Sequence, residues 1–173
     1  MFHHYHFVSR WKIPVDPERV FEILSKPEDY GAWWHAPHLE AGVLDPGQAD
    51  GVGKTVRFKM CGALPYSFEW TIRCTEIERP RRIVSDSSGD FLGRGIWTFE
   101  DAGGVTQAMF DWKVEVCQHF VRRFSALLRP FFIANHHWVM KQGERGLKKR
   151  LEENVGALNR NDFHAEKYRK DGS

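Results

Sequence analysis

Cysteine is scarce in this chain. Three thiols among 173 residues, Cys61, Cys74 and Cys117, form neither a CxxC pair nor an even disulfide framework, so a disulfide-stapled fold and a structural zinc site are both excluded. Free buried thiols point instead to a reducing cytoplasm. Charge of one sign is also lacking: 25 basic against 23 acidic residues leave a net charge of +2, and no basic field marks a nucleic-acid binder. Long apolar runs are missing. The greasiest stretch, Ser125 to Ala134, contains Arg129 and Pro130, and a membrane span needs roughly 20 apolar residues; no stable membrane insertion is expected. The start, Met1-Phe2-His3-His4-Tyr5-His6, has no basic segment followed by an apolar one and is not a secretory signal. No Ser/His/Asp order, glycine-rich phosphate loop or paired-carboxylate motif stands out. No cofactor and no metal are therefore expected, and no feature specifies a protein partner.

Aromatic residues are abundant, at 14% with 7 Trp and 13 Phe, which excludes a disordered chain. Tyr5 to Ile13 alternates, with Phe7, Trp11 and Ile13 on one face, as a half-buried strand does. Asp16-Pro17-Glu18 is a helix start: a capping carboxylate, a proline at the first turn and an acid facing the positive end of the dipole. Val20, Phe21 and Leu24 form that helix's apolar stripe. Pro27 opens a second short helical stretch reaching Trp33 and Trp34. From His38 to Val116 the period is two. Lys54 to Met60, Phe68 to Glu78, Arg82 to Ser87, Gly93 to Glu100 and Thr106 to Val116 read as strands. Asp45-Pro46-Gly47, Gly51-Val52-Gly53, Gly62 to Pro65 and Asp101 to Gly104 read as turns. After Cys117 the period becomes helical. Gln118 to Arg129 is expected to end at Pro130, and Phe131 to Glu153 to form a long helix. One domain over residues 1–155 is expected, with a frayed polar tail over 156–173.

An apolar sheet face needs a cover, and the long C-terminal helix is the element large enough to supply it. The side chains directed into the space between them are Phe58, Met60, Phe68, Trp70, Trp97, Phe99, Phe110 and Trp112. They either pack into a solid aromatic core or line a ligand cavity. The order is a strand, two short helices, a run of antiparallel strands and a long helix. Together with Ile13 to Leu24, Tyr30 to Trp34, Gly93 to Glu100, Gly104-Val105-Thr106 and Trp138 to Leu151, it resembles the START-like (SRPBCC) helix-grip superfamily. The likeness is to its polyketide cyclase/dehydrase and lipid-transport branch. The resemblance implies an α+β helix-grip fold: a curved antiparallel sheet around a C-terminal helix, with a cavity between. It carries over no fixed catalytic residue, because that superfamily is a scaffold with several functions.

On the long helix, Phe132, Val139, Met140, Gly143 and Leu147 share a face at ~100° per residue. His136 lies in the middle of that arc, and His137 points away. His136 is the candidate acid/base or ligand donor; the alternative is a core histidine held by a hydroxyl or a carbonyl. Gly143 and Gly146 each cost near ~1 kcal/mol in a helix, explained either by room for a ligand or by close packing against Trp side chains. His3, His4 and His6 read as a solvated strand start, and His35 and His38 as a polar cavity mouth. Glu69, Arg73, Asp111, Lys113 and Glu115 are assigned to the wet face, and Ser85 to Asp90 to loop or edge chemistry. The expected function is binding of a small hydrophobic or aromatic molecule, lipid- or polyketide-like. The alternatives are a cyclase/dehydrase-like enzyme using His136, and a protein-interaction module with a filled core.

Overall fold

A computed structural model describes residues 4–35, 39–61, 67–117 and 125–170, with side chains described except for 61, 125–128 and 155–170. Strand β1 is His4–Ile13; helix α1 is Pro17–Leu24; a 3-10 turn, Pro27–Asp29, leads into the short helix α2, Tyr30–Trp33. Strands β2 (Leu39–Asp45), β3 (Thr55–Cys61), β4 (Ser67–Glu78), β5 (Arg82–Gly89), β6 (Phe91–Asp101) and β7 (Thr106–Val116) follow, and helix α3 spans Ser125–Lys170.

The capping residues act as their chemistry demands. Asp16 accepts a hydrogen bond from the Arg19 amide at 3.1 Å, and Pro17 occupies the first turn of α1. At the β6–β7 hairpin, the Asp101 side chain accepts from the Gly104 amide at 2.9 Å, and Gly103 and Gly104 both adopt positive φ, which a β-carbon disfavours. The strands form one seven-stranded sheet in the order β1-β7-β6-β5-β4-β3-β2, with every neighbouring pair antiparallel. Because directly opposed residues share a face, the register assembles one apolar surface. Trp11 lies opposite Ala108 and Phe7 opposite Trp112; Trp97 lies opposite Phe110; Phe58 lies opposite Trp70. Helix α3 lies along this surface and buries His136, Met140, Gly143, Leu147 and Leu151, the face that the helical period selects.

The apolar residues divide into two clusters. One joins α1, α2 and α3 to the sheet through Trp11, Ile13, Phe21, Leu24, Trp33, Trp34, Trp97 and Leu147. The other gathers Tyr5, Phe7, Phe68 and Phe91, with Phe132 packed against it. No helix among the described residues is long and apolar enough to cross a membrane.

Three expectations are corrected. Pro130 does not separate two helices: it lies inside α3. It is the sixth residue from Ser125, so only one or two main-chain bonds near the start of the helix are forfeited. The helix also does not stop at Glu153 but continues to Lys170; no proline follows Pro130, and polar side chains are compatible with helix. The strand expected over Arg82 to Ser87 is present and extends to Gly89, so Ser85, Asp86, Ser87 and Ser88 are strand residues rather than the loop or edge residues also expected there. They belong to β5, the fourth of the seven strands in the sheet. Strand β2 carries no alternating pattern, because most of it is exposed; pairing with β3 makes it a strand. The turn over Gly62 to Pro65, the segment Gln118 to Phe124, His3 and His38 lie outside the described residues.

Candidate functional site

The concave face of the sheet and the underside of α3 enclose a cavity of about 210 Å³. Its existence follows from which residues occupy the middle strands. Large rings stand on the strands to either side of β5: Phe58 on β3, Phe68 and Trp70 on β4, Trp97 on β6, and Phe110 and Trp112 on β7. Between them the inward positions shrink. Ser85 on β5 is opposite Gly95 on one side and Cys74 on the other, and Ser87 is opposite Gly93 and Ile72. This strip of small residues forms a floor with aromatic walls. Gly95 is required by the wall itself, because a β-carbon there would approach the Phe110 ring to 2.8 Å.

Ten of the twelve expected ligand-facing residues line the cavity: Phe58, Met60, Phe68, Trp70, Trp97, Phe110, Trp112, Phe132, Val139 and Met140. The walls are built from stacked rings, with Phe58 and Trp70 at 5.2 Å and Trp97 and Phe110 at 4.7 Å between centroids. The other two lie elsewhere. Phe99 is buried behind Trp97, stacked on it at 6.1 Å and edge-on to Phe21; its strand position is in phase with Trp97, but α1 covers that end of the sheet. Gly143 faces Trp34 rather than the cavity: a β-carbon there would lie 2.4 Å from the indole. Gly146 likewise admits the Trp33 carbonyl, which would lie 2.1 Å from an added β-carbon. Both helical glycines are therefore packing residues that let the Trp33-Trp34 pair dock on α3, where the Trp34 indole N–H also donates to the Val139 carbonyl at 2.9 Å.

His136 lies in the cavity wall and is 7% exposed. Its ring stacks on Phe7 at 3.9 Å and sits 5.5 Å from Trp112. Its Nε2 is 3.4 Å from the Ser9 hydroxyl. Burial pushes its pKa down to about 4, and His137 beside it acts in the same direction. The imidazole is thus neutral at pH 7, with Ser9 as its hydroxyl partner. That is the chemistry of a hydrogen-bond donor or weak base in a dry site, and equally of a satisfied core histidine.

Sequence reasoning missed several lining residues. Tyr30 of α2 and Trp34 just after it, Ile83 and Phe91 from the sheet, and Lys54 just before β3 all contribute. Lys54 is the one charged side chain among the described lining residues, and it donates to Glu28 at 2.7 Å. The Tyr30 hydroxyl donates to the Leu24 carbonyl at 2.6 Å, and burial raises its pKa. Cys74 is a free thiol whose pKa is raised, again mainly by burial. The most informative omission is Ser87. It lines the cavity and is 7% exposed, and its hydroxyl oxygen has no hydrogen-bond partner among the described residues. Its place in a strand and its phase with Ile83 were legible, but a serine-rich strand end reads as loop or edge chemistry when the strand's central place in the sheet is unknown.

The remaining candidates lie outside the cavity. Asp111 pairs with His6 at 3.1 Å, and His4 approaches Glu115 at 4.0 Å, on the solvent face of β1 and β7. No group of three or more metal-ligating side chains occurs among the described residues. Glu69 reaches Arg57 at 3.8 Å, and Asp86 is held by Arg94 at 2.7 Å, both on the outer face; the Arg94 hydrogen bond also lowers the Asp86 pKa.

Known proteins share this arrangement. TTHA0849 from Thermus thermophilus superposes with a TM-score of 0.73 at 20% identity, over 87% of this chain and 99% of its own. The Zhui aromatase/cyclase from Streptomyces sp. R1128 matches with a TM-score of 0.71 at 16% identity, over 88% of this chain and 96% of its own. A START superfamily protein from Mycobacterium smegmatis gives 0.65 at 16% identity, over 86% and 97%. No curated protein sequence matches. At these identities the structures establish the helix-grip fold. The family itself follows from the sequence match over residues 4–152: the chain belongs to the polyketide cyclase/dehydrase and lipid transport family.

Proposed function

We propose that the protein binds one small, predominantly aromatic molecule in the cavity between the sheet and α3. The observation that carries this reading is the space of about 210 Å³ left among stacked rings, which the aromatic side chains of the described residues do not close. The volume lies below the roughly 300–1,000 Å³ of sites for drug-sized ligands, which favours a compact ring system over an extended lipid. Burial of apolar surface supplies the driving force, at ~25 cal/mol per Å² before the cost of association. Trp70 supplies a stacking wall. His136, neutral and in the cavity wall, orients a polar group. The free thiols Cys74 and Cys117 fit a reducing, cytoplasmic setting.

A second reading, a cyclase- or dehydrase-like catalyst, is favoured by His136. A single acid/base group in a water-poor cavity suffices for enolisation of a substrate held in a productive shape. Native mass spectrometry of gently purified protein, compared with the denatured protein, tests the first reading: a discrete mass lost on unfolding is expected. Re-addition of that compound separates the two readings, because a carrier returns it unchanged and an enzyme transforms it. Affinity left intact in both Trp70→Ala and His136→Ala would remove this cavity as the site.

A further inference from the structure

We propose that the β5 floor of the cavity recognises one uncharged oxygen, a hydroxyl or carbonyl on an otherwise apolar aromatic ligand, with Ser87 as its hydrogen-bond partner and Ser85 beside it. This inference rests on the reading of the cavity as a binding site and specifies which ligands it takes.

Ser87 occupies the interior of a central strand, opposite Gly93 and Ile72, where a β-branched apolar residue is the usual occupant. A valine there would fill space and leave nothing unsatisfied. The serine instead carries a buried hydroxyl without a partner among the described residues, and a group in that state is destabilising. Since the residue lines the cavity, a change of χ1 between staggered wells turns its oxygen toward a ligand. Two residues along the strand, Ser85 is also in the lining. The surroundings select a neutral partner. Lys54 is already engaged by Glu28 at 2.7 Å, and His136 is uncharged at pH 7. A carboxylate on the floor would meet no free cation among the described lining residues.

Three probes of similar size discriminate: 2-naphthol, 2-methylnaphthalene and 2-naphthoate, titrated at pH 7 by tryptophan fluorescence and calorimetry. The wild type is expected to bind 2-naphthol about tenfold more tightly than 2-methylnaphthalene, and 2-naphthoate most weakly. Ser87→Ala is expected to bring the first two within about twofold of each other while leaving the 2-methylnaphthalene affinity unchanged, with Ser85→Ala having a smaller effect. A preference for 2-naphthol that survives in both variants overturns the subsite, as does tightest binding of 2-naphthoate. A Ser87→Ala protein markedly less stable than the wild type also overturns it, because the hydroxyl would then have a structural partner. If neither neutral probe binds the wild type, the cavity reading itself fails and the subsite with it.

Discussion

Acidification should destabilise this protein through one residue. The His136 imidazole is 7% exposed, lies against Phe7 and has its pKa pushed down to about 4 from 6.5, chiefly by burial. The unfolded chain therefore binds this proton more readily than the folded one, so stability rises with pH across the interval between the two values. The contribution is complete above pH 6.5, falls as the pH drops, and reaches its limit below pH 4. Evaluating both protonation equilibria gives a loss of about 2 kcal/mol at pH 5 relative to pH 7.5, against a typical total stability of ~5–15 kcal/mol. Urea unfolding at pH 7.5, 6.5, 5.5 and 5.0, followed by tryptophan fluorescence, measures it for the wild type and for His136→Gln. The wild type should lose about 2 kcal/mol more than the variant over this range. Ordinary carboxylates titrate below pH 5 and the other titrating groups are common to both proteins, so the difference between the two isolates the imidazole. Parallel pH profiles would refute the argument and show that His136 is already protonated, or free to reach water, in the folded state.

Two further outcomes follow from packing. Alanine at Gly143 or Gly146 should gain near ~1 kcal/mol of helix propensity yet destabilise the protein, because the added carbon would lie 2.4 Å from the Trp34 indole or 2.1 Å from the Trp33 carbonyl. Overpacking of this kind costs about 1–3 kcal/mol or more; Gly146 should suffer more, since backbone cannot turn aside, and a rise in melting temperature at Gly146 would contradict the docking of α2 on α3. Tyr30→Phe removes the hydrogen bond to the Leu24 carbonyl and should cost about 1 kcal/mol in urea unfolding, with no cost if water replaces the hydroxyl there.

Period and punctuation determined the outline of the molecule from the sequence alone. Alternation of large apolar residues in β1, β3, β4 and β7 set the strand faces, because a strand's side chains point alternately to opposite sides. Asp16-Pro17 and Asp101 to Gly104 set a helix start and a hairpin through local geometry. The helical period put His136 and Met140 under α3 and left His137 outside. These are near-neighbour effects, and the aromatic walls follow from them.

Tertiary structure decided what distant segments do to each other. Whether the rings closed the space depended on the register that sets Gly95, Ser85 and Cys74 side by side across three strands. The same register placed Ser87, at the end of the short strand expected over Arg82 to Ser87, in the cavity floor, with no hydrogen-bond partner for its hydroxyl among the described residues. Contact between α2 and α3 settled the meaning of Gly143 and Gly146: only the three-dimensional approach of Trp33 and Trp34 shows why a methyl group is excluded there. Burial of His136 between Phe7 and Trp112, with Ser9 as its partner, gave the ring its neutral charge state. Periodicity names a face of a helix or strand, but solvation and steric exclusion belong to whatever the rest of the chain places against that face.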